Sequence, residues 1–285
     1  MSLSHKRSKG GSTKLREREK VFLVVGLLFV IALVVRGVAI LQTPVIAKDS
    51  ILYIKLAKLY YSGNYEEAFK VYPYSLLPML IAPFYKIFNN WVKAGQWLSA
   101  LCGSLTVIPL YLLAKRLFHQ KVAIWTAIFY ICCPDLVRYS AEILKDIPFI
   151  FFYTSALWLG YEGIKRKKNI MVGLAGFFII LSASIRREGM ALLVIFGLFW
   201  LWFLLKKGGS WRNIMINFLF LLGGIALMTL IFSIFSLKGV NINAVLFSHL
   251  KEPAVAIKKV KVAVDIEKEE SLSLWTKRLL ELAQD

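Results

Sequence analysis

The stretch that decides the fold is residues 21–42, VFLVVGLLFVIALVVRGVAILQ, which follows directly on the strongly basic segment 1–20. About 20 consecutive apolar residues cross a bilayer as a helix, so this run spans, with one charge, Arg36, in its second half. The segment before it carries Lys6, Arg7, Lys9, Lys14, Arg16, Arg18 and Lys20 against Glu17 and Glu19. Cations flanking a first span stay on the cytoplasmic side. The run is too long for a signal-peptide core and no small-residue cleavage site follows it, so it reads as a retained first span.

The pattern repeats along the chain. Apolar runs near residues 96–114, 122–134, 146–163, 170–185, 189–205 and 214–237 give, with the first, an all-α, multi-pass transmembrane helix bundle of about seven spans. The run 122–134 is short and has either to extend into 135–140 or to tilt little in a locally thin bilayer to complete a crossing. If the spans alternate, the short loops holding Lys115, Arg116 and Lys121, then residues 165–168, then Lys206, Lys207 and Arg212, all fall on the side of the amino terminus.

Composition agrees. Of 285 residues, 58% are hydrophobic and 19% charged, against roughly 45–50% and 25% in soluble domains. The formal charge of +19 is gathered between apolar runs, so it is membrane topology and no nucleic-acid partner is expected. Cys102, Cys132 and Cys133, with His5, His119 and His249, show no metal-ligand spacing. No metal site and no cofactor are expected, a divalent cation being left open. Gly-rich phosphate loops and nucleophile elbows are absent from the sequence.

Counting residues 75–89, SLLPMLIAPFYKIFN, as a span would export the basic loops, and Pro78 and Pro83 interrupt it, so it reads as an interfacial or re-entrant helix. The first outer loop is then 43–93. Within it Ile51, Leu52, Ile54, Leu56, Leu59 and Tyr60 recur at helical spacing with Lys55 and Lys58, before a Gly63-Asn64 break. A juxtamembrane amphipathic helix lying on the membrane surface is expected there. The organisation is a basic cytoplasmic segment 1–20, a transmembrane domain 21–237 and a polar tail 238–285 on the outer face.

The remaining ionisable groups of interest collect on that face. Asp49, just beyond the first span, is a carboxylate at the lipid–water boundary and can act as a base. An Asp or Ser at this place also caps the helix that follows. Asp146 follows Lys145 and precedes Pro148, an ordinary helix start, yet two outer carboxylates facing one cavity serve base and substrate-orienting roles. Arg186, Arg187 and Glu188 lie where short basic loops are disfavoured, and charges at a membrane boundary point to function. The arginine fork suits phosphate oxygens, while snorkelling to headgroups is the alternative for these arginines and for Arg36.

The order of these features resembles the polytopic glycosyltransferases of the GT-C fold, in the branch of the protein O-mannosyltransferases and lipid A aminoarabinose transferases. The resemblance runs through Arg36; Asp49-Ser50 with Tyr53 and Ala57; Gly63-Asn64-Tyr65; Tyr72-Pro73-Tyr74 before Leu76-Leu77-Pro78; Ala114-Lys115-Arg116-Leu117-Phe118; Lys145-Asp146-Ile147-Pro148; and Arg186-Arg187-Glu188-Gly189. Many relatives show Asp-Glu where this chain has Asp49-Ser50, and continue for further spans.

The resemblance implies inverting transfer of a sugar from a polyprenyl-phosphate donor to a protein, glycan or lipid acceptor, on the outer face of the cell membrane. Asp49 is then the catalytic base. Arg36, Tyr53, Tyr72, Lys145, Asp146, Arg186, Arg187 and Glu188 are the candidate contacts to substrate and lipid phosphate. A non-catalytic subunit of a glycosyltransferase complex and a lipid or solute transporter are the competing classes; a transporter needs polar groups through the midplane, and few are evident.

Overall fold

The computed structural model describes residues 5–43, 47–72, 76–205 and 211–236, and every regular element among them is helical. The tail 238–285 and the basic pair Lys206-Lys207 lie outside the described residues. So do Pro73 and Tyr74.

Helix α1 (His5–Gln42) carries the basic segment and the first span as one rod. Leu28, Ala32, Arg36 and Ile40 are buried at intervals of four, while Leu23, Leu27, Val30, Val34, Val38 and Leu41 are exposed. One stripe of α1 therefore packs on the bundle and the remainder presents an apolar surface of the kind lipid covers.

Helices α2 (Lys48–Tyr61), α3 (Tyr65–Val71) and α4 (Leu76–Phe88) form the first loop. Gly63, at φ +81°, makes the turn between α2 and α3, a left-handed backbone that glycine adopts without steric cost. The amphipathic stretch is helical, as its spacing predicts, but its apolar side is covered by protein: Tyr53, Ile54 and Ala57 pack with Leu77 and Ile81 of α4 and with Ala94 and Leu98 of the next helix. Hydrophobic periodicity fixes which side is apolar and leaves open what covers it.

Helices α5 (Trp91–Leu105) and α6 (Val107–Leu117) meet at Thr106 and together form a second helix long and apolar enough to cross a membrane. Helix α7 (Gln120–Cys132) is extended by α8 (Pro134–Ala141), bent from it by 52°. Pro134 causes the break, since it has no N–H to carry the hydrogen-bond ladder of α7 onward but suits the first turn of α8. Helices α9 (Asp146–Arg166) and α10 (Asn169–Ile185) follow. A 3-10 turn, Arg187–Met190, leads into α11 (Ala191–Leu205), and α12 (Trp211–Ser236) is the last described element. Helix α10 lies between α9 and α12, and the approach to α12 is close because Gly173 and Gly224 carry no side chain where they meet.

Two described helices, or three counting the bent pair, are long and apolar enough to span, against the seven expected. The shortfall is one of length and composition. Helix α10 has 17 residues and α11 has 15, and a bilayer core needs about 20.

The two ends of α9 are chemically distinct. Glu162, near its carboxyl end, pairs with Arg116 at the end of α6 and with Arg166. That contact brings the two basic loops 115–121 and 165–168 to one end of the bundle. Asp146 begins the helix at the opposite end, about 24 Å away at 1.5 Å per residue.

Candidate active site

The candidate residues of the loops 43–93 and 186–188 meet at the amino end of α9. Arg186 donates from Nη1 to Oδ1 of Asp146 and from Nη2 to Oε1 of Glu188, the second at 3.1 Å. Its guanidinium carbon stands 5.7 Å from the centre of the Phe149 ring, which supports it from one face. Burial works against the charge on Arg186, but the Glu188 hydrogen bond and the Asp146 and Glu188 carboxylates outweigh it, and the net effect raises its pKa.

Tyr53 and Tyr72 lie beside this group. Burial pushes the Tyr53 hydroxyl above its usual pKa; neighbouring Tyr72, Asp49 and Asp146 add to this, and Arg186 opposes it. Tyr72 is raised by burial and by Asp49, with Arg187 acting the other way. Glu188 is held below the usual carboxylate range by its own backbone N–H, then by the Arg186 hydrogen bond, with Lys145 adding a smaller pull. Asp49, Tyr53, Tyr72, Lys145, Asp146, Arg186, Arg187 and Glu188 thus share one electrostatic neighbourhood, drawn from α2, the loop after α3, the start of α9 and the turn after α10.

Within it the groups are unequally engaged. Asp146 and Glu188 are committed to Arg186. Asp49 is exposed and its side chain makes no ion pair or hydrogen bond among the described residues, and the same holds for the side chains of Lys145 and Arg187, the Lys145 carbonyl alone accepting from the Phe149 N–H. One carboxylate is therefore free to take a proton, and two cations are free to meet an anion.

The segment that delivers Lys145 and Asp146 is held residue by residue. Ser140 accepts from Arg36 Nε at 3.1 Å, the Ala141 carbonyl accepts from Gln96 Nε2 at 2.9 Å, and the Glu142 carbonyl accepts from Ser50 Oγ. Ile143 then adopts φ +56°, a left-handed conformation that is strained for a β-branched side chain. It is held there by burial against Gly95, where an added Cβ would lie 2.7 Å from it. Three polar tethers and one locked side chain fix the chain just before the candidate residues.

Arg36 is not part of the charged neighbourhood. It is fully buried among α1, α5, α7 and α8, hydrogen-bonded to Ser140 and to the Ala32 carbonyl at 3.3 Å, with its guanidinium 5.0 Å from the Tyr130 ring. Gly103 leaves the space for it, since a Cβ there would come within 2.5 Å of Nε. It does not snorkel, and its Nη2 has no hydrogen-bond partner among the described residues.

Gln96, Ile143 with Gly95, and Phe149 were not marked by the sequence. Phe149 reads there as one of a stripe of lipid-facing or packing aromatics, and only its place three residues after Asp146, in the first turn of α9, sets it apart. Among the described residues no three His, Cys, Asp or Glu side chains gather as a metal site requires.

The model of the dolichyl-phosphate-mannose-protein mannosyltransferase family matches residues 75–236, more than half of the chain. The chain belongs to that family. The match takes in Lys145, Asp146 and the Arg186–Glu188 turn, and the GT-C resemblance stands with it. An uncharacterized protein of Aquifex aeolicus (strain VF5) is 32% identical over 92 residues, which is 32% of this chain and 18% of that protein. The chain thus spans a small part of the length of that relative. No solved structure matches. Family and apolar helices together make this a membrane protein.

Proposed function

We propose that this family member transfers a sugar, by single displacement with inversion, from a polyprenyl-phosphate donor to a hydroxyl acceptor at the outer face of the cell membrane. The observation that carries the proposal is the meeting of an uncommitted Asp49 with uncommitted Lys145 and Arg187 around the Asp146–Arg186–Glu188 group.

In this reading Asp49 accepts the proton of the acceptor hydroxyl, whose oxygen forms the new bond to the anomeric carbon. The bond from that carbon to the phosphate oxygen breaks, and its electron pair leaves with the lipid phosphate. Lys145 and Arg187 meet the charge that develops on the phosphate. Arg186 already bridges two carboxylates, so its role is to orient them, with Tyr53 and Tyr72 walling the pocket against water. Arg36 acts at a distance, through Ser140. The reading calls on no organic cofactor, and stripping divalent cations with a chelator asks whether an ion assists.

Asp49→Asn keeps the shape of the side chain and removes the base. Sugar transfer from a polyprenyl-phosphate donor in membranes should fall by about 10²–10⁴-fold. The amount of inserted protein should not change. Unaltered turnover in the mutant would falsify the role of Asp49, and turnover absent from the wild type while a larger complex requires the chain would favour a subunit.

The seven-span topology, with the tail 238–285 outside, belongs to the same proposal. It is supported by Glu162, which draws two basic loops together at the end of α9 remote from Asp146. Single cysteines at positions 49 and 187 should react with an impermeant thiol reagent from outside, and one at 166 only after permeabilisation. Labelling of 49 and 166 from the same side contradicts the topology.

A further inference from the structure

The Glu162 end of α9 carries a cluster that the proposed chemistry does not use. Glu162 is buried, with 5% of its side chain exposed, and both arginines reach it through Nε: Arg116 at 3.1 Å, and Arg166 from one turn further along α9. Guanidinium is a planar fork whose Nε edge also carries Nη2, so an ion pair made on that edge leaves Nη1 turned away, and Glu162 Oε2 has no hydrogen-bond partner among the described residues. Among the described residues nothing engages Nη1 or Nη2 of either arginine, and the two side chains are 39% and 51% exposed. Lys115, Lys121, Lys167 and Lys168 stand on the same two loops, while Lys165 is bound to the Tyr161 hydroxyl at 3.1 Å.

We infer that Arg116 and Arg166, oriented by Glu162, form a binding site for the phosphate of an anionic phospholipid headgroup at the end of the bundle opposite the candidate active site. Two forks on one carboxylate present paired donors to phosphate oxygens. Arg116 lies at the end of Trp91–Leu117, a helix long and apolar enough to cross a membrane, and the end of such a helix is where headgroup phosphates lie. Glu162 acts as a positioning residue: its negative charge lowers the general attraction for anions yet fixes the two donors.

That opposition supplies the test. Full-length protein is placed in nanodiscs of phosphatidylcholine with a minor share of phosphatidylglycerol, and the phosphatidylglycerol retained after purification is measured by native mass spectrometry. Wild type should retain it in preference to phosphatidylcholine. Glu162→Gln should lose about tenfold in retention although it makes the protein more positive. A diffuse basic surface would instead gain about fivefold, the worth of one charge near an anionic membrane. Arg116→Lys keeps the charge and removes the fork, and should also lose retention. Melting in pure phosphatidylcholine discs reports whether Glu162→Gln folds, and if it does not, Arg116→Lys decides alone. Retention equal to or above wild type in either folded variant overturns the site. Stabilisation by inorganic phosphate in pure phosphatidylcholine discs equal to that by phosphatidylglycerol overturns the lipid assignment in favour of a free anion.

Discussion

At one end of α9 a single arginine, Arg186, bridges two carboxylates, Asp146 and Glu188; at the other a single carboxylate, Glu162, holds two arginines, Arg116 and Arg166. The ends also differ in solvent. Asp146 and Arg186 are each 30% exposed, whereas Glu162 is 5% exposed. A buried ion with two partners is an anchor, because removing it leaves charges behind with nothing to oppose them. A half-exposed arginine between carboxylates is weaker as an anchor and better placed to meet a substrate.

Counting outward from Arg186, the Asp146 end brings Asp49, Asp146 and Glu188 together with Lys145, Arg186 and Arg187. The charges balance in sum without pairing one to one. Asp49, Lys145 and Arg187 are left over, and those are the groups a proton and a phosphate would take up. If this is the difference between the ends, Arg186→Gln should cost chemistry far more than stability. Sugar transfer should drop by about 10²-fold, a transition-state loss of about 3 kcal/mol. Thermal unfolding should register no more than about 1 kcal/mol, since the pair is partly screened by water. A variant that loses both in proportion would make the Asp146 end a second anchor.

Glu162→Gln should do the reverse. The expected loss of stability is about 2 kcal/mol, below the 3–5 typical of a fully buried pair because both arginines are half in solvent. Transfer per folded molecule should stay at the wild-type level. Melting temperature in detergent and specific activity, measured on the same preparation, separate the two. Loss of specific activity without loss of stability would place Glu162 in communication with the Asp146 end and erase the contrast.

The charged cluster at the Asp146 end of α9 was visible in the sequence because charge at the end of an apolar run is conspicuous against its surroundings. Asp49, Lys145, Asp146 and the Arg186–Glu188 turn each stood out by depth along a span, and eight of the nine candidates lie close enough to interact electrostatically, which places them together without testing their roles. Depth says nothing about which way a helix faces. Arg36 was placed correctly along α1, but only packing puts it on the buried stripe with Leu28, Ala32 and Ile40, against Ser140 and Tyr130. The helix over 51–60 was legible from its period, and its covering by α4 was not, because an apolar stripe suits lipid and protein equally. The extension of 122–134 beyond Pro134 was legible from length, and the 52° bend only from the structure. Ile143 was invisible: a β-branched residue gives no sign of a left-handed backbone, and what holds it is Gly95, far off in sequence.

The smallest effect concerns acid. Glu188 is held below its ordinary value near 4.5 by its own backbone N–H first and by the Arg186 hydrogen bond second. A carboxyl group whose pKa is lower in the folded state stabilises that state above its unfolded pKa. The contribution is lost as pH falls through the depressed folded value. Thermal stability should therefore decline on acidification below about pH 4.5, and Glu188→Gln should flatten that part of the curve without shifting the neutral plateau much. Glu188 is 61% exposed, so the change in slope will be slight and best read as a difference between two titrations of melting temperature. An Arg186→Gln background should reduce that difference without abolishing it, because the second cause of the depression is gone while the backbone N–H remains. If the difference persists there undiminished, the backbone N–H alone sets Glu188, and Arg186 is tied to this end of α9 through Asp146 only.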